Sequence, residues 1–309
     1  MDRETRDMLL ETADRFFTDR CGRAVVNEVE KGVWPADLWK EIEQMGLPLI
    51  AVPEDKNGVG GTLADMLALL RLAGSHAVPV PLAETALGNL LIAAAGSEPK
   101  AGPATLALGN LTLNGGRISG KVERVPFASV ADRFVTVVGN TLAVVAAANA
   151  KVDGQPSHAG EPYGTVTFDN AAAEFSGASP VGADRAFELA AVMRAMQMAG
   201  AADKVLATAV EYCKQRVQFG RPISTFQAIQ HMLAELASHV AAVSVRTRLT
   251  FVIAVPPPTS DMMIAFGVPP VGPESRTSTS SGKVWLYPLI STEQSAAELA
   301  RPVTATTAG

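Results

Sequence analysis

The hydrophobic period of this chain changes twice, from about 3.6 residues to 2 and back again, and that order limits the possible folds more than any motif does. In the first third, Met8, Leu9, Ala13, Phe16 and Phe17 recur at helical spacing behind an acidic first turn. Pro35 suits the start of a second helix with Leu38, Trp39 and Ile42 on one face. Thr62 is placed to cap a third helix that carries Leu63, Met66, Leu67, Leu70 and Ala73. A fourth runs from Leu82 to Ala95 and stops at Gly96. The glycine-rich stretch between the second and third helices, Val52 to Gly61, lacks the Lys-Ser/Thr that ends a phosphate loop. It reads as a connecting loop.

Near residue 104 the pattern switches to alternation. Leu111, Leu113 and Ile118 flank Asn114-Gly115, a strong short-range hairpin signal. Phe134 to Val138 and Thr141 to Val145 flank Gly139-Asn140, a second hairpin. Val166 to Phe168 reads as a further strand, ended by Asp169-Asn170. After Gly177 the helical period returns with Phe187, Met193, Met196 and Leu206, running to about Tyr212. Phe226, Ile229, Leu233, Leu236, Val240 and Val243 make another helix. The expected class is therefore α+β and multidomain. An all-α N-terminal domain spans residues 1–103, a small β-barrel or sandwich spans 104–178, and an incomplete α-helical bundle spans 179–243.

Residues 244–309 differ from everything before them. They contain Pro256-Pro257-Pro258, Pro269-Pro270 and the run Ser275 to Ser281, without sustained apolar periodicity. Such a composition does not bury enough surface to offset the entropy of ordering its backbone, so a disordered tail is expected. The change falls inside a helix without a stop signal, near Ser244, which favours a shifted reading frame over a natural tail. A helix cut there would leave Leu233, Leu236 and Val240 uncovered.

The chain has 309 residues, 48% of them hydrophobic and 18% charged, enough for several domains with real cores. A net charge of −5 argues against a nucleic-acid backbone as the main partner. Two cysteines, Cys21 and Cys213, form no disulfide framework and fit a reducing compartment. Asp2, Glu4 and Asp7 are unlike a signal peptide, and no apolar run is long enough for a membrane span. A cytoplasmic protein is expected.

The segment Arg216-Val217-Gln218-Phe219-Gly220, followed by Ile223 and Phe226-Gln227, joins the two late helices. A guanidinium donates paired hydrogen bonds to phosphate oxygens, and Gln227 adds a side-chain amide. An Arg-Gln-Phe-Gly string also ends ordinary helices, so by itself it leaves a structural and a cofactor role open. The pattern R-x-Q-F-G-x-x-I-x-x-F-Q resembles the C-terminal-domain signature of the acyl-CoA dehydrogenases. The helical, β, helical order and the loop at Val52 to Gly61 are similar to that family as well, over residues 1 to about 243.

The resemblance implies FAD as cofactor, an acyl-CoA substrate, and a homo- or hetero-oligomer with another acyl-CoA dehydrogenase subunit. Arg216, Gln218, Phe219 and Gln227 are then the FAD-contacting residues, with Arg216 and Gln227 reaching across to a neighbour's flavin. The activity implied is α,β-dehydrogenation of an acyl-CoA thioester, in which a Glu takes the α-proton and hydride leaves the β-carbon. One family position for that Glu falls beyond residue 243. The other falls on Ala190, and Glu188, about 200° round a helix, occupies the wrong face. Ala107-Leu108-Gly109-Asn110 stands where most members carry a hydroxyl-bearing flavin loop, and a Gln-x-x-Gly-Gly segment of the family is missing. No catalytic residue is assigned. Two alternatives stand beside the enzyme: an accessory subunit that completes a partner's FAD site, and a non-catalytic helical interaction protein retaining the fold. His231, Glu235 and His239 share a face with Gln227 but lack metal-site spacing, so no metal ligands are assigned. His76 and His158 are expected to be isolated and solvated.

Overall fold

A computed structural model describes residues 1–155, 157 and 160–254, with side chains described as far as 243. Helix α1 (Arg3–Arg20) begins where the Asp2 carboxylate accepts the Thr5 N–H at 2.8 Å, and it buries Ala13 and Phe17. Helix α2 (Arg23–Glu30) was not expected. It is eight residues long, starts at Gly22 without a side-chain cap, and buries only Val29. Helix α3 (Ala36–Gln44) buries the expected Leu38, Trp39 and Ile42. Helix α4 (Leu63–Ser75) starts in a capping box: Thr62 accepts the Asp65 N–H, and Asp65 accepts the Thr62 N–H. Helix α5 (Leu82–Ala94) is apolar almost all round and sits in the middle of the domain, so even Glu84, Thr85 and Asn89 are buried.

The loop at Val52 to Gly61 folds onto itself. Gly60 and Gly61 donate to Val52 and Ile50 carbonyls at 2.9 and 2.8 Å. A Cβ at Gly58 would lie 2.0 Å from the Val52 carbonyl oxygen, which explains the glycine by packing. His76 departs from expectation: it is largely buried, 2.8 Å from Asp14 Oδ1, with its ring beside Phe17. His158 lies outside the described residues.

The middle domain holds eight strands: β1 (Ala104–Leu106), β2 (Leu111–Asn114), β3 (Arg117–Pro126), β4 (Arg133–Val138), β5 (Thr141–Ala146), β6 (Lys151–Gln155), β7 (Tyr163–Ala172) and β8 (Phe175–Ala178). They form two four-stranded sheets, β1-β4-β5-β8 and β2-β3-β7-β6. Both expected hairpins are present, pairing Asn114 with Arg117 and Val138 with Thr141. Ile118, Val122, Val166 and Phe168 of one sheet share a core with Phe134, Ala143 and Val145 of the other. Phe134 and Phe168 meet edge to face at 5.7 Å. The opposite face of the first sheet, Val135, Val137, Leu142 and Val144, packs on the helices, which is why β4 is buried on both sides. This is a sandwich, and no closed barrel forms among the described residues. The strand expected to end at Asp169-Asn170 continues to Ala172. Asn170 takes φ 52° at a register shift, and its N–H donates to Ser119 Oγ at 3.1 Å. A turn signal was absorbed as a β-bulge.

Helix α6 (Ala183–Gln215) is 33 residues long and crosses α4 at very short range. A Cβ on Gly200 would lie 1.7 Å from the Arg71 carbonyl oxygen, and one on Gly74 would lie 2.0 Å from that of Gln197. Only glycine permits this approach. Arg71 and Asp203 pair at 2.8 Å beside it. A two-residue antiparallel pair, β9 (Val217–Gln218) with β10 (Arg221–Pro222), then leads to helix α7 (Gln227–Ala254). Helix α7 runs past Ser244 to Ala254 without interruption. Val240 is buried, and Leu233 and Leu236 are half-buried, so the apolar stripe of α7 is better covered than expected. The expectations for residues 255–309 lie outside the described residues.

Candidate functional site

Helix α5, strand β3 and the first half of α6 enclose a cleft of about 430 Å³. Its walls are mostly apolar: Ala83, Leu106, Leu108, Val125, Phe187 and Met193. Ala190 lines it, so the position that the resemblance assigns to a catalytic Glu faces the cleft with a methyl group. Glu188 does not line it; it pairs with Arg185, and about half of its side chain is exposed. Leu108 lines it where the family's flavin loop is expected and offers no hydroxyl. Arg124, at φ 57° in the bulge of β3, stands at the rim.

Three ionisable residues distant in sequence meet at one end of this cleft. Glu84 projects from α5 with only 5% of its surface exposed. Arg194 on α6 brings Nη2 to 2.6 Å from Glu84 Oε1 and Nη1 to 2.9 Å from Glu161 Oε2. Nη1 also donates to Gln197 Oε1 at 3.1 Å, and the guanidinium carbon lies 5.9 Å from the Phe127 ring centre. The Glu84 contact is close but not aligned as a hydrogen bond, and Glu84 Oε2 and Arg194 Nη2 lack hydrogen-bond partners although both are buried. Burial pushes the Glu84 carboxyl above its ordinary value. The charge on Arg194 opposes that rise, and Glu161 adds to it. For Arg194 burial acts downward, but Glu84, Glu161 and Tyr163 outweigh it and hold the guanidinium charged. Nothing in the sequence around Glu84 marks it; only its place on an otherwise apolar helix could have drawn notice.

The four residues expected at FAD lie elsewhere. Arg216 ends α6, with its N–H donating to Tyr212 O and its carbonyl accepting from Ile223, each at 2.8 Å. Phe219 and Gly220 turn the β9–β10 pair with φ of 54° and 78°. The turn lifts the Phe219 ring outward, 93% exposed, and Gln218 and Gln227 are exposed as well. Phe226 supports the turn, edge to face with Phe219 at 6.1 Å and under Arg221 at 4.3 Å. The structure thus brings Arg216, Gln218, Phe219 and Gln227 to one end of the α6–α7 pair. None of them lines the cleft. Arg194 and Arg216 are roughly 33 Å apart along α6, taking 1.5 Å per helical residue.

His231, Glu235 and His239 line an exposed face of α7, with His239 Nε2 3.8 Å from Glu235 Oε1. Among the described residues no helix is long and apolar enough to cross a membrane.

The helical, two-sheet and helical succession, with a long helix turning through Arg216 to Gln227, is the arrangement of a flavoprotein dehydrogenase. Sequence comparison names the family. Residues 3–100 match its N-terminal domain, described as "Acyl-CoA dehydrogenase, N-terminal domain", and residues 182–250 match "Acyl-CoA dehydrogenase, C-terminal domain". Acyl-CoA dehydrogenase IpdE2 of Mycobacterium tuberculosis is 31% identical over 246 residues, 77% of this chain and 73% of that one. Its namesake in Mycolicibacterium smegmatis is 32% identical over 265 residues, 83% of this chain and 79% of that one. Among solved structures, the ChsE4-ChsE5 complex from Mycobacterium tuberculosis superposes with a TM-score of 0.71 at 23% identity, covering 86% of this chain and 82% of that one. The chain belongs to the acyl-CoA dehydrogenase family, whose cofactor is FAD.

Proposed function

We propose that the chain is one subunit of an FAD-dependent acyl-CoA dehydrogenase that carries out α,β-dehydrogenation of an acyl-CoA thioester. The observation that carries this reading is the placement of Arg216, Gln218, Phe219 and Gln227. An exposed guanidinium, an exposed ring and two exposed amides at the end of a helix pair suit a ligand belonging to a neighbouring chain. Arg216 would hold the pyrophosphate, Gln227 and Gln218 would donate or accept at the dinucleotide, and Phe219 would cover an apolar face. FAD, when bound, accepts hydride from the β-carbon. The apolar cleft beside Ala190 and Met193 takes the acyl group and keeps water from it. A cytoplasmic location goes with this reading.

Ala190 and Leu108 favour a narrower second reading. A cleft with a methyl group at the base position and no hydroxyl at the flavin loop suits an accessory subunit that completes a partner's FAD site. The structural likeness to a complex of two chains supports a hetero-oligomer. The test is co-expression. Purified by itself the chain should be nearly colourless, whereas co-purification with a complementary acyl-CoA dehydrogenase subunit should retain FAD. A bright yellow, fully loaded homo-oligomer would remove the accessory reading and leave a self-sufficient enzyme.

A further inference from the structure

The cleft does not stand alone. A second cavity of about 430 Å³ lies between α2, α4 and α6, walled by Val29, Gly74, Val78 and Met198. The two cavities share Arg194 and Tyr163 in their walls. These two side chains therefore mark where the acyl cleft meets the second cavity, and that boundary is polar although most of the cleft wall is apolar. The guanidinium is fixed by carboxylates of Glu84 and Glu161 at 2.6 and 2.9 Å.

We propose that Arg194 and Tyr163 bind a neutral oxygen function, a hydroxyl or carbonyl, on the acyl group. The ligand is then an oxygenated acyl thioester and not a plain fatty acyl one. This inference rests on the reading of the cleft as an acyl-CoA site. Three observations support it. Both groups are donors, Arg194 Nη2 is buried without an aligned hydrogen bond, and a neutral oxygen is an acceptor that suits them. A hydrocarbon end lodged there would offer no acceptor to Arg194 Nη2, which is buried without an aligned hydrogen bond. A carboxylate is disfavoured because Glu84 and Glu161 already flank the Arg194 cation. Glu84 is closed off from solvent and acts through Arg194, so it is a positioning residue and not a ligand contact.

The experiment compares plain acyl-CoAs with their ω-hydroxy counterparts, from butanoyl to decanoyl, on the co-expressed holo-assembly. At the chain length that reaches Arg194, the hydroxylated thioester should be favoured by at least tenfold in kcat/KM, mainly through KM. Tyr163→Phe should reduce that ratio several-fold. Arg194→Met with Glu84→Gln, a pair that does not strand the fully buried Glu84 carboxylate, should abolish it, and Arg194→Lys should retain part of it. Equal kcat/KM for both members of every pair would overturn the inference while leaving the dehydrogenase reading intact. A preference that survives both Tyr163→Phe and the double variant would overturn it too, by placing oxygen recognition elsewhere. An assembly that retains FAD yet oxidises none of the thioesters would bring down the acyl-CoA reading and this inference together.

Discussion

Two arginines on the same helix live in opposite surroundings. Arg194 lies where the cleft meets the second cavity, with two carboxylate neighbours, Glu84 and Glu161, supplied by the chain itself. Arg216, at the other end of α6, is exposed, and among the described residues its guanidinium forms no ion pair. The difference shows what each position is for. A charge that the fold buries and pairs is part of the fold first, and its removal is felt as lost stability. A charge that the fold leaves presented on a tight turn has little to do for the isolated chain, and its removal is felt only when a ligand arrives.

The sharpest way to break this contrast is Arg194→Met. It leaves Glu84 buried without its cation, and loss of one partner of a buried pair costs about 3 kcal/mol or more. Denaturant unfolding should show that loss, and adding Glu84→Gln should recover most of it. If Arg194→Met unfolds at the parent's midpoint, the pair is not the structural element that its burial implies. At the other end, Arg216→Lys keeps the charge and removes the planar fork. FAD affinity in the assembly should fall roughly tenfold, about 1.4 kcal/mol, while the melting temperature without flavin stays where it was. Unchanged flavin binding would make Arg216 an ordinary helix end.

A smaller effect is expected from pH. With its native pKa raised above the ordinary 4.5, Glu84 keeps its proton in the folded chain after the unfolded chain has lost it. The stability it contributes is present below 4.5 and is lost as pH rises through the raised native value. Urea midpoints of the parent should therefore decline, relative to Glu84→Gln, as pH climbs through that window; parallel curves would show that the group does not titrate there. The smallest effect belongs to Glu188→Gln. Its carboxylate pairs with Arg185 away from the cleft, so acyl-CoA-dependent flavin reduction should stay within a few-fold of the parent. A drop on the order of a thousandfold, the scale of losing a positioned general base, would make Glu188 the base after all.

Much of the fold was legible because its signals are local. Both hairpins form where expected, on Gly139-Asn140 and, one residue later than expected, on Gly115-Gly116, since a two-residue turn depends on its own φ angles and little else. Thr62 caps α4 for the same reason. The failures have physical causes too. Asp169-Asn170 carries turn chemistry, yet pairing with β3 and the Ser119 hydroxyl hold it inside a strand as a bulge. Helix α2 is only eight residues long and buries one side chain, too short a stretch to stand out in a sequence. His76 looks isolated along the chain but lands against Asp14 and Phe17, which α1 brings to it.

The amino-acid sequence by itself determined the order of helical and β regions, the turns between strands, and the grouping of Arg216, Gln218, Phe219 and Gln227, because all of these depend on residues within a dozen positions of one another. Only the tertiary structure decided that Ala190 faces a cleft and Glu188 does not, and that Glu84, Glu161 and Arg194 meet at its end. Those contacts join α5, the segment before β7, and α6 across more than thirty residues of chain at each step. They exist because α6 is fixed on α4 through Gly74 and Gly200, and no local periodicity encodes a crossing between two helices.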